Sequence, residues 1–154
     1  MGVKLKSTVT NMFIALLVMQ SAVTYAEELN DETLRHIASK MLASQIEQAS
    51  LYCTKKDEKY QLIFLEARRE FEKNNKSFAV ANGRVPNNFK LKNTELDDLV
   101  NNANTVFMQA AEKYPFETFC NNYAYKLRTL SFDDFLSLSK MKYNALKEKT
   151  KKLP

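Results

Sequence analysis

"TELDDLVNNANTVFMQAAEKY", residues 94–114, sets Leu96, Leu99, Val100, Ala103, Val106, Phe107, Ala110 and Tyr114 at intervals of three and four. That spacing gathers the apolar residues on one face of a helix and suits no strand, in which alternate residues share a face. Its opening, Thr94-Glu95-Leu96-Asp97, has the form of a helix cap. The segment reads as an amphipathic helix.

The same period extends outward in both directions. Pro115 forces a break, because proline lacks a backbone donor and crowds the preceding turn. A helix carrying Phe116, Phe119, Cys120, Tyr123 and Leu127 follows. Ser131-Phe132-Asp133-Asp134 resembles a second cap for a last helix through Phe135, Leu138, Met141 and Ala145. Upstream, Tyr60, Ile63, Phe64, Ala67, Phe71, Phe78 and Ala81 share a face of one long helix stopped by Asn82-Gly83. Before it, Leu34, Ile37, Ala38, Met41, Leu42 and Ala49 form another stripe, with Asn30 or Asp31 as N-cap. The chain has two glycines and three prolines, and no stretch alternates with period two for long enough to make a strand. The expected fold is all-α, a single-domain bundle of four or five helices.

The N-terminus bears on where the chain folds. Lys4 and Lys6 precede an apolar run from Met12 to Met19, and small residues lead to Thr24-Tyr25-Ala26. This is the pattern of a cleaved signal peptide over residues 1–26, and the run falls short of the roughly 20 residues that span a bilayer. The expected mature domain covers 27–154, and its location is periplasmic or secreted. Loss of Lys4 and Lys6 takes the formal charge from +5 to +3. From Lys140 onward six lysines stand against Glu148, a net +5, which leaves 27–139 at −2. The basic character therefore belongs to the C-terminal end, which is suited to an anionic membrane surface or to complementing a helix dipole. Export argues against nucleic acid.

In an oxidising compartment two cysteines on apolar stripes pair by default, so Cys53 and Cys120 are expected to form a disulfide closing the bundle. That removes the natural nucleophiles. His36, the only histidine, falls on a helical wheel opposite Leu34 and Met41 and beside Lys40 and Glu47, where it reads as a solvated surface residue. One histidine cannot build a zinc or di-iron site, and there is no haem, calcium or glycine-rich phosphate motif, so neither metal nor cofactor is expected. Glu66, Glu70 and Glu72 stand among Arg68, Arg69 and Lys73 as helix-surface charge pairs. A helical wall-degrading hydrolase would need two buried acids across a cleft, and no residue asks for one.

Binding remains. "NGRVPNNFKLKN", residues 82–93, is longer than most helix connections and interleaves Val85, Phe89 and Leu91 with Arg84, Lys90 and Lys92. These residues either meet a protein partner, or Phe89 and Leu91 fold back over an open end of the bundle. The last helix has an apolar arc, widened by Leu136 and Tyr143, broader than a surface helix needs. It is either central to the bundle or offers Leu136 and Tyr143 to a partner. The expected function is non-enzymatic binding of another exported or envelope protein, as an inhibitor or immunity-type protein or as an envelope assembly factor. The alternative is a carrier of a lipid or other apolar small ligand among the helices. Asn75-Lys76-Ser77 also matches an N-glycosylation sequon.

Overall fold

A computed structural model describes residues 30–138 and 140. The signal-peptide reading, the lysine-rich end beyond 140, and Met141, Tyr143 and Ala145 lie outside those residues. Within them the chain is all-helical, with no strand.

Helix α1, Asp31–Lys56, begins where the Asn30 side-chain oxygen accepts the Thr33 N–H at 2.8 Å, which makes Asn30 the cap. Asp31 and Glu32 lie in its first turn and Lys55 and Lys56 in its last, each sign at the dipole end that favours it. Helix α2, Tyr60–Asn74, buries Tyr60, Phe64, Ala67 and Phe71. A short α3, Lys76–Gly83, buries Phe78.

The single long helix expected over this stretch is thus two. Asn75 leaves helical geometry at φ −124°, ψ 68°, and its side chain takes over as a clamp. Its amide donates to the carbonyls of Phe71 at 2.8 Å and Leu130 at 2.9 Å, while its oxygen accepts the Phe132 N–H at 2.7 Å. These bonds cross to the far end of the chain, where no local periodicity could anticipate them. Gly83 is the last helical residue, and a Cβ there would meet nothing within 4 Å.

Helix α4, Asn93–Ala111, starts one residue before the expected cap, and Glu95 reaches back to accept the Lys92 N–H at 2.8 Å. Helix α5, Phe116–Thr129, follows Pro115 as the sequence required. A closing helix, α6, runs over 132–138, and Ser131 Oγ accepts the Asp134 N–H at 3.3 Å.

Cross-links reveal the helix directions. Asn104 Nδ2 donates to Ser44 Oγ at 2.6 Å, and Leu96 packs with Ile37 and Met41, so α1 and α4 run parallel. Lys59 with Glu117 at 3.0 Å and Arg128 with Glu66 at 3.3 Å set α2 and α5 parallel. Cys53–Cys120 at one end and Arg35–Asp133 at the other make α1 antiparallel to the α5–α6 arm. Lys140 binds Asp31 at 2.6 Å and holds that carboxyl below its ordinary range.

The central helix is α1, which packs against α2, α3, α4 and α5. The main core gathers Leu42, Ile46, Phe64, Phe71, Phe107 and Tyr123 with the disulfide, and a smaller cluster of Ile37, Met41, Leu96 and Ala103 joins α1 to α4. Both cysteines are fully buried, with Cα atoms 5.9 Å apart.

Central placement has a cost at Gln45. It is fully buried, and neither its Nε2 nor its Oε1 has a hydrogen-bond partner among the described residues. A buried amide left unpaired costs about 1–3 kcal/mol. Gln45→Met keeps the unbranched shape and removes the polar atoms. It should raise the unfolding free energy by about 1–2 kcal/mol, read as a higher urea midpoint at unchanged m-value.

Candidate functional site: a cleft between α1 and α4

A cleft of about 630 Å³ lies between α1 and α4, beside the seam in which Ile37, Met41, Leu96 and Ala103 pack. On α1 its wall is the stripe His36, Lys40, Ala43, Ser44 and Glu47, spaced so that successive side chains stack up one face. On α4 the facing stripe is Asn93, Leu96, Asp97 and Val100. Val85 and Phe89 of the connection close one end beside Asn82, and Arg68 of α2 also lines the cleft. Its lining mixes Ala43, Val85, Phe89, Leu96 and Val100 with polar side chains and charges of both signs.

His36 lies in this wall and is only 2 % exposed, which corrects its reading as a solvated surface residue. The wheel placed it away from the main stripe of α1, but α3 and the 84–92 connection cover that side as well. Its Nδ1 donates to the Ala81 carbonyl at 2.8 Å, because a carbonyl can only accept, and Nε2 is the acceptor in the neutral ring. The Phe89 ring meets the imidazole edge to face, 5.0 Å between centroids and 79° between planes. The histidine therefore pins α3 and the connection to α1.

The other residues singled out in the sequence divide clearly. Val85 is 60 % exposed, and Arg84, Lys90 and Lys92 are exposed. Phe89 and Leu91 are half-buried against the α1–α4 cluster and cover the bundle end, and buried Pro86 anchors the turn between them and α3. Only Val85 and Phe89 of this set line the cleft. Leu136 is 2 % exposed in the main core beside Phe132 and Phe135, so it is core and is not presented on the surface. Tyr143 lies outside the described residues.

Chemistry in the cleft is limited by distance. Eight residues separate Ser44 from His36 along α1, about 12 Å at helical rise, so no serine–histidine dyad forms. The sealed disulfide supplies no thiolate. Glu47 and Asp97 are both exposed and do not form the buried pair of acids that glycosidase chemistry needs. On α2, Arg68 pairs with Glu72 at 2.9 Å, the surface pairing its spacing suggested. The sequon asparagine, Asn75, is 6 % exposed with both side-chain polar atoms engaged, and the folded domain offers it to no modifying enzyme.

The bundle interior is occupied by rings in mutual contact. Phe71 lies 4.9 Å from Phe78, Phe78 lies 5.4 Å from Phe132, and Phe107 lies 5.5 Å from Tyr123. Burial raises the Tyr123 phenol far above its ordinary value. The aromatic residues that a carrier of apolar ligands would use to line a cavity instead fill the core. Comparison of the chain with protein-family models, curated proteins and solved structures found no match.

The cleft had a faint trace in the sequence. Lys40, Ser44 and Glu47 stand on one side of α1 with His36, but nothing local states that α4 would leave that stripe uncovered.

Proposed function

We propose that the protein is an exported, periplasmic or secreted, non-enzymatic helical domain that binds another exported or envelope protein, as an inhibitor of immunity type or as an assembly factor. The fully buried Cys53–Cys120 bond carries the export part of this reading. Such a bond forms and persists outside the reducing cytosol, in keeping with a leader over residues 1–26. Binding rests on the exposed Arg84, Val85, Lys90 and Lys92 of a connection held rigidly by Pro86, Phe89 and His36. A preorganised surface loses little entropy on docking.

Fractionation followed by intact mass tests the location. The expected species starts at Glu27 and is exported, with both cysteines unreactive to alkylation until reductant is added. Uncleaved, reduced chain in the cytosol would overturn it. A photo-crosslinking residue at Val85 or Lys90 tests binding in living cells. A discrete protein adduct is expected from both positions and not from Leu62 on the outer face of α2. No adduct from either loop position would sink the binding reading.

A further inference from the structure

We infer that Asn82–Gly83 is a site of spontaneous deamidation, which the folded domain holds unreactive and which converts to isoaspartate when the end of α3 detaches from His36. It is the one Asn–Gly pair in the chain. Both of its residues are poor choices for their surroundings. Gly83 ends α3 without a left-handed φ, and a Cβ there would meet nothing within 4 Å, so neither turn geometry nor close packing calls for glycine. Asn82 is half-buried, and its Oδ1 is sealed from solvent with no partner among the described residues, which disfavours the folded state. Residues that break local rules with no compensating contact are expected at functional or strained positions. Side by side, these two form the dipeptide most prone to deamidation. The Gly83 backbone nitrogen, unhindered by a side chain, attacks Cγ of Asn82. A C–N bond forms, the bond to the side-chain nitrogen breaks, and ammonia leaves behind a five-membered succinimide. Water then opens the ring at either carbonyl, giving aspartate, or isoaspartate with the main chain routed through the former side chain. The net change is water in and ammonia out, with no oxidant or reductant.

Within α3 that attack is closed. The Gly83 nitrogen stands in the helical ladder, and the next N–H, of Arg84, donates to the Val80 carbonyl at 3.1 Å. To reach Cγ the nitrogen must leave the ladder, so the last turn has to open first. Opening is resisted on both sides of the pair. His36 Nδ1 donates to the Ala81 carbonyl at 2.8 Å, and Phe89 packs on the same imidazole with 5.0 Å between centroids. Isoaspartate adds a carbon to the main chain between 82 and 83, which shifts the Arg84 N–H off the Val80 carbonyl. The reaction is therefore one-way: the end of α3 does not close again as before, and the 84–92 connection is loosened. This does not depend on what that connection binds.

The purified, oxidised protein is incubated at mildly alkaline pH, which favours the attacking amide anion, beside a synthetic peptide of residues 77–84. Tryptic cleavage after Lys76 and Arg84 releases the same segment from the protein, and chromatography with mass detection resolves its amide, aspartate and isoaspartate forms. Isoaspartate is expected in both, forming about tenfold or more slowly in the protein. The protein rate should stay flat in sub-denaturing urea, because opening one turn exposes little surface. His36→Ala and Phe89→Ala should each raise it about threefold or more toward the rate of the peptide. Phe89 is only half-buried, so its variant reports even if His36→Ala disturbs folding. Gly83→Ala, for which there is room, should slow the reaction about tenfold in peptide and protein alike at an unchanged or higher melting temperature. In the aged protein the Arg84 amide should exchange hydrogen faster than before. A protein that reacts as fast as the peptide, a rate that climbs with urea in step with global unfolding, or no acceleration in either variant at the His36 contact would overturn the proposal. So would an undiminished rate in Gly83→Ala, or unchanged exchange at Arg84 after the reaction.

Discussion

Replacing Cys53 and Cys120 together by alanine should lower the unfolding free energy by about 4 kcal/mol, because the bond closes a loop of 67 positions whose freedom the unfolded chain regains. That is a large share of the roughly 5–15 kcal/mol net stability of an ordinary domain. The melting temperature should fall by about 10–20 °C for a domain of this size. The m-value should rise, since an unfolded chain without the cross-link exposes more surface to denaturant. Urea unfolding of the oxidised protein and of the double variant measures both quantities. A difference under about 1 kcal/mol, or an unchanged m-value, would mean that the bond does not stabilise through the unfolded state.

Asn75→Ala should cost about 3 kcal/mol, because it removes a side chain that satisfies three backbone groups where α2, α5 and α6 meet. Asn75→Asp sharpens the test. Its carboxylate would be buried and would face the Phe71 and Leu130 carbonyl oxygens, with only the Phe132 N–H in its favour. Burial and the two carbonyls disfavour the charged form, so the folded pKa lies above the unfolded value of about 3.9. The variant is therefore least impaired below pH of about 4, and its deficit against the wild type grows as pH rises from there through the folded pKa. Urea titrations of both proteins across acidic and neutral pH check the sign. A deficit that does not change with pH would show that residue 75 reaches solvent.

Legibility in the sequence followed the range of the forces involved. The helix expected over 94–114, found as Asn93–Ala111, the break before Pro115 and a cap at Asn30 or Asp31, of which the structure selects Asn30, depend on neighbours within a turn or two, and local pattern exposed them. The Cys53–Cys120 pair was legible because each cysteine sat on an apolar stripe. The break at Asn75 was not legible, since it answers to Leu130 and Phe132, more than fifty positions away. His36 was misplaced for a related reason: a wheel ranks the faces of one isolated helix, whereas α1 is enclosed by four others. Leu136 stood between core and surface until the packing of α6 placed it inside.

By itself, then, the amino-acid order determined helix content, several helix starts and the covalent staple, all consequences of local periodicity and of cysteine chemistry. Only the tertiary structure decided that α1 is the central helix, that His36 is a buried pin, and that a cleft lies between α1 and α4. Those outcomes depend on which faces find one another, and burial is a property of the assembled neighbours that no single segment contains.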